Sequence, residues 1–171
     1  MTTHDQEKTE RTAPEGEGAV RVGLVNLGCP KNQVDAEVML GQLAAAGYRI
    51  TDAPEQADLI VVNTCSFIRE AKEESIRTVL EAAALKRTGR CRAVMVSGCL
   101  AQRYGRELPA LLPEVDAFVG TGEFPRIADI AAAILRRSAR RRVWVTGHTA
   151  LVTADLPRRL LTPGHIAYLK I

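Results

Sequence analysis

Residues 20–32 read VRVGLVNLGCPKN. The first eight form a short run rich in valine and leucine and almost continuously apolar. Such a run predicts a strand covered on both faces, as in a parallel sheet. Just past its carboxyl end the chain places a glycine, a cysteine and a proline. The same sentence is written twice more. Residues 57–63 (ADLIVVN) lead into Thr64 and Cys65, and residues 92–97 (RAVMVS) lead into Gly98 and Cys99. Shorter strand candidates lie at 48–51, 117–119 and 142–146.

Helical periodicity fills the gaps between these runs. Residues 33–46 predict a helix with Asn32 as N-cap, Asp35 in a capping-box position and Gly47 as the stop. After Cys65, the residues Ile68, Ala71, Ile76, Val79, Leu80 and Ala83 fall on one stripe, with Arg69, Glu70, Lys72, Glu73 and Glu74 mostly opposite. A shorter helical piece covers 107–112, and Pro125 starts another that runs to about Arg137. One degenerate helix is expected around 54–56. Alternation of this kind predicts an α/β fold: an open, mainly parallel sheet of five to six strands, flavodoxin-like, with helices on both faces.

Each of Cys29, Cys65 and Cys99 therefore follows the carboxyl end of a strand, where open α/β sheets bind their ligands. In the strand order 2-1-3-4-5 the three strands are neighbours about 4.8 Å apart, close enough for their loops to gather three sulfurs. Cys91 precedes its strand and lies about 26 Å from Cys99 along it, a bystander at the opposite edge. Gly28 and Gly98 let backbone pass close to a bulky group, and helix N-termini after the cysteines favour thiolates. Asn26, Asn63 and Thr64 either donate hydrogen bonds to a bound group or stitch the loops together.

The chain has 171 residues, 46% of them hydrophobic and 25% charged, in the range of one globular domain with tails. No apolar run approaches the roughly 20 residues of a membrane helix, and the N-terminus lacks a secretory pattern, so a cytoplasmic protein is expected. Reducing conditions there argue against disulfides and leave metal binding, catalysis or burial for the four cysteines. Zinc usually shows itself by C-x-x-C pairs, and none is present. His4 lies in the tail, while His148 and His165 follow the last strand candidate. Three thiolates without a fourth ligand suit an iron–sulfur cluster with one iron open. Residues 1–19 hold almost no apolar side chains and predict a disordered tail. Their five acids and two bases leave 21 bases against 15 acids in the remaining chain.

These residues also carry a family resemblance. NLGCPKNQVDAE, VNTCSFIREAKEESI, VSGCLAQRY and LPEVDAFVGTGE, in that order, resemble the N-terminal domain of the radical-SAM methylthiotransferases over residues 21–130. GCPKN and the tract after Cys65 are similar to the branch that methylthiolates an aspartate of small ribosomal subunit protein twelve. The tRNA-modifying branch, the alternative, typically carries a GCQMN-like motif.

The resemblance implies that Cys29, Cys65 and Cys99 hold an auxiliary 4Fe-4S cluster whose open iron delivers sulfur or a methylthio group. It also implies a second 4Fe-4S cluster, on a C-x-x-x-C-x-x-C motif in a following barrel, that cleaves SAM. That motif does not occur in this sequence, so the expectation is a fragment of a longer enzyme, inactive alone.

The expected division is a tail at 1–19, the methylthiotransferase domain at 20–147, and a linker with the first barrel strand at 148–171. Residues 165–171 (HIAYLKI) are then disordered, folded back or paired with another copy. Expected partners are the ribosomal protein or the ribosome, with a monomeric enzyme and no membrane. The run Arg136, Arg137, Arg140, Arg141 and Arg142 reads either as a solvated helix end or as a contact to ribosomal RNA. Two readings from other classes are an FMN- or phosphate-binding flavodoxin-like domain, against which stands the lack of a strong glycine-rich cradle, and a non-catalytic docking module.

Overall fold

The computed structural model describes residues 18–137, 142–147, 153 and 155–170. Six strands form one sheet: β1 (Arg21–Asn26), β2 (Arg49–Thr51), β3 (Leu59–Thr64), β4 (Ala93–Gly98), β5 (Ala117–Val119) and β6 (Val143–Trp144). Every pairing is parallel and the order is β2-β1-β3-β4-β5-β6. Five α-helices connect them: α1 (Pro30–Ala45), α2 (Arg69–Thr88), α3 (Cys99–Tyr104), α4 (Leu108–Leu111) and α5 (Ile127–Leu135). The degenerate helix expected near residue 55 is a 3₁₀ turn, Pro54–Gln56, and a second such turn, Phe124–Arg126, precedes α5.

Two apolar layers explain why the central strands are apolar throughout. Leu59, Val61, Ala93 and Met95 face one layer with Val38, Met39 and Leu43 of α1 and Ile127, Ile130 and Ile134 of α5. Ile60, Val62, Val94 and Val96 face the other, with Val79 and Ala82 of α2, Leu100 of α3 and Leu108 of α4. Successive side chains of a strand point to opposite faces, so a strand sandwiched between two helical layers has no polar side to spare.

Three local expectations are corrected. Asn32 is not the N-cap: α1 begins at Pro30 with Cys29 in the cap position. Proline suits the first helical turn, where its missing N–H costs nothing. Asn32 is thereby inside the helix and only 3% exposed, and Asp35, rather than closing a capping box, pairs with Lys170. The end of α1 does follow the glycine: Gly47 has φ +88°, and the N–H groups of Gly47 and Tyr48 reach the carbonyls of Ala44 and Leu43, a Schellman motif.

The buried stripe of α2 is rotated from its expected position. Ser75, Val79, Ala82 and Ala83 are buried, while Ile76 and Leu80 are 39% and 47% exposed. Both sets are compatible with a 3.6-residue period; contact with the sheet selects the face carrying small residues, which lets the helix lie close to the strands.

Residues beyond the sheet fold back. Pro157 to Lys170 forms no regular element and lies on α1, bound through Glu37 and Asp35. Of the basic run, Arg140 and Arg141 lie outside the described residues, as does the tail at 1–17. Arg142 is engaged within the fold: it donates to the carbonyl of Pro113 at 3.0 Å and stands over the Phe118 ring.

Candidate functional site

The three strands that end in cysteines are adjacent, β1-β3-β4, and their last residues are in step. Asn26 pairs with Asn63, Asn63 with Ser97, and Thr64 with Gly98. Cys65 and Cys99 therefore continue two neighbouring strands from the same level, and Cys29 leaves the third strand beside them. The Cys29 thiol is exposed, those of Cys65 and Cys99 are half-buried, and all are free. Cys91 is buried at the start of β4, where its thiol donates to the Ala93 carbonyl at 3.3 Å, so its sulfur is a core group at the other edge.

Charge links the three thiols. Burial pushes the Cys99 thiol above the usual range; a hydrogen bond to Asn32 opposes this, while Cys65, Cys29 and Asp35 add to it. The Cys99 sulfur lies 3.7 Å from Asn32 Oδ1. A negative charge on Cys65 or Cys29 is thus felt at Cys99, and a cation beside Cys99 would favour its thiolate.

Neutral polar groups weave this edge together. Asn32 Nδ2 donates to the Thr64 carbonyl at 2.9 Å, Asn63 Nδ2 to Asn26 Oδ1 and to the Asn32 carbonyl, both at 2.9 Å, and Thr64 Oγ1 to the Ser97 carbonyl at 2.6 Å. Asn26, Asn63 and Thr64 are therefore loop stitches. Asn63 Oδ1 is buried and has no partner among the described residues.

The glycines before the cysteines have a reason inside the protein. Gly98 has φ +93°, and a Cβ there would stand 2.6 Å from the Thr64 carbonyl oxygen; one on Gly28 would stand 2.2 Å from the Cβ of Asn32. Their lack of a side chain admits neighbouring protein atoms, whatever else approaches. Cys29 is the N-cap of α1 and Cys99 the first residue of α3, but α2 begins only at Arg69, four residues past Cys65.

Sequence reasoning missed Ser75 and Asn32. The hydroxyl of Ser75, on the second turn of α2, accepts from the Cys65 N–H at 3.2 Å and donates to the Cys65 carbonyl at 3.1 Å, holding that loop from both sides. A signal was available: Ser75 interrupts an i, i+4 series of apolar residues (Ala71, Val79, Ala83), and a buried hydroxyl requires a partner.

Among the described residues no three His, Cys, Asp or Glu side chains are gathered to hold one metal ion. A single ion draws all its sulfurs to about 2.3 Å. A 4Fe-4S cluster makes a different demand, because each thiolate takes a different iron and the sulfurs stay further apart. Three thiols on adjacent strand tips, with no carboxylate hydrogen-bonded among them, fit that donor set.

Known proteins agree with this frame. The chain is 54% identical over 153 residues to the ribosomal protein uS12 methylthiotransferase RimO of Pelotomaculum thermopropionicum, covering 89% of this chain and 34% of the relative. It is 54% identical over 152 residues to the RimO of Geotalea uraniireducens, covering 88% and 34%, and 51% identical over 152 residues to that of Heliobacterium modesticaldum, covering 89% and 33%. The chain thus spans about a third of the length of the curated relatives it matches. A family model described as "Uncharacterized protein family UPF0004" matches residues 21–120, from the first residue of β1 to just past β5, and the chain belongs to this family.

Proposed function

We propose that this chain is the auxiliary-cluster part of a methylthiotransferase acting on an aspartate of ribosomal protein uS12, with Cys29, Cys65 and Cys99 holding a 4Fe-4S cluster. The observation that carries the reading is three thiols at the carboxyl ends of three adjacent parallel strands. The names of the relatives, which are uS12 methylthiotransferases, support the reaction and the substrate.

When bound, the cluster would supply an iron free of protein ligands at which sulfur can be held. The chain's own residues do the rest. Cys29, Cys65 and Cys99 present thiolates from three separate loops; Ser75 fixes the Cys65 loop; Asn32 ties α1, which carries Cys29, to the end of β3. In this reading residues 20–147 form the cluster domain. Residues 148–171 lead toward a barrel that binds SAM and a second 4Fe-4S cluster. The enzyme is a cytoplasmic monomer that meets uS12 on or off the ribosome.

Iron and acid-labile sulfide measured on the anaerobically reconstituted chain, beside a Cys65→Ala variant, test the proposal. About four irons and four sulfides per chain, lost in the variant, are expected. Equal iron in both, or none in either with the fold intact by circular dichroism, overturns the ligand set.

A further inference from the structure

Glu37 stands on the outer side of α1 and yet is 0% exposed. A buried carboxylate requires donors, and its own helix supplies only Gln33 Nε2, at 3.2 Å. The segment from residue 157 to 170 supplies the others: Arg158 Nε at 2.8 Å, Arg158 Nη2 at 2.6 Å and the Leu161 N–H at 3.0 Å. The Arg159 N–H also donates to the Glu37 backbone carbonyl at 2.9 Å.

One turn on from Glu37, Gly41 lets the same segment touch the helix backbone. A Cβ there would stand 2.3 Å from the Pro157 carbonyl oxygen. Glycine inside a helix normally lowers its stability, and this contact gives its presence a reason. Arg158 Nη2 further donates to the Tyr168 carbonyl at 2.6 Å, and Lys170 Nζ lies 2.7 Å from Asp35 Oδ1. From Gly41 through Glu37 to Asp35, the segment therefore runs back along α1 toward the end that carries Cys29. Asp35 is close enough for its charge to be felt at Cys99.

We propose that Glu37, Gly41 and Arg158 form a clasp, with Glu37 the positioning residue, that holds residues 157–170 on α1 and so delivers Lys170 to the cysteine edge. The clasp joins α1 to residues more than a hundred positions away, and three of the four donors on the Glu37 carboxylate come from the segment. If the segment lifts, water reaches the carboxylate, so losing the clasp frees the segment and leaves the sheet folded. The clasp stands on these contacts alone; only its use, aiming whatever follows toward the cysteines, rests on the proposed function.

The test compares the wild-type chain with Arg158→Ala and Gly41→Ala by amide hydrogen exchange and by carbodiimide coupling, which joins Lys170 to Asp35 only while they are paired. Gly41→Ala improves intrinsic helix propensity, so an effect from it comes from the displaced segment. Exchange at Arg159 and Leu161 is expected to quicken at least tenfold in both variants, with Val61 and Val96 unchanged. The coupled Lys170–Asp35 peptide is expected in wild type and lost in both. Unprotected Arg159 and Leu161 amides in wild type, or coupling that persists in both variants, overturns the clasp. Iron content, read separately, is expected to be unchanged in both variants, so failure of the cluster assignment and failure of the clasp give different results.

Discussion

At the amino ends of the strands, carboxylates close the sheet. Asp58 accepts from the Arg21 N–H at 2.8 Å and from Arg90 Nη2 at 3.0 Å, and Asp116 accepts from the Val94 N–H at 2.8 Å and from Lys86 at 2.7 Å. At the carboxyl ends of the same strands the stitching is done by Asn32, Asn63 and Thr64, all neutral. Both edges satisfy their backbone groups, so hydrogen bonding does not explain the contrast. Thiolates do. A carboxylate among them would raise the cost of their charge, whereas an amide or hydroxyl does not. Asp35, whose charge does reach Cys99, is itself paired with Lys170. One residue type behaves in two ways across this divide: Cys91, among the carboxylates, is core, whereas Cys99 feels the charge of Cys65 and Cys29.

Three measurements sharpen or break that contrast. The largest effect is expected from Gly98→Ala. Its φ of +93° and ψ of −155° belong to a region reserved for glycine, and the added Cβ would meet the Thr64 carbonyl at 2.6 Å. A loss of about 3 kcal/mol or more is expected in urea unfolding, together with loss of iron uptake. An unchanged midpoint would mean that the thiol edge is looser than its stitching implies.

Asp58→Ala strikes the other edge. It leaves the Arg21 N–H without its acceptor and should cost about 2 kcal/mol, the exposed Arg90 adding little. Iron uptake by the folded chain should not change. A variant that folds but no longer takes iron would show that the two edges are coupled.

The smallest effect is a rate order. In the metal-free chain at about pH 8, iodoacetamide should label exposed Cys29 first, then Cys65, then Cys99, and buried Cys91 last. Burial pushes the thiols of both Cys99 and Cys91 above the range of a free cysteine, so less of each is thiolate at a given pH, and their labelling should keep rising with pH after that of an exposed thiol has levelled off. Cys91 labelled as fast as Cys29 would remove the distinction between the edges.

Much of this was readable in the chain. Valine-rich runs of strand length, with helical periods between them, determine a parallel sheet, because only a strand buried on both faces can afford no polar side. A cysteine directly after three such runs determines three thiols at one edge once the strands are parallel. These are local properties, set by residues within a few positions of one another.

Tertiary structure decided what depends on distant partners. Periodicity placed Ile76, Val79 and Leu80 on one stripe, but contact with the sheet chose Ser75 and Val79 to be inside and left Ile76 and Leu80 in water. Asn32 looked like a cap because capping residues are judged by their neighbours; its partner is the Thr64 carbonyl, 32 residues away. Nothing next to Glu37 in the sequence marks it as buried; its main partner, Arg158, lies 121 residues on. A sequence states which side chains share a face, whereas what covers that face is fixed by where the rest of the chain comes to lie.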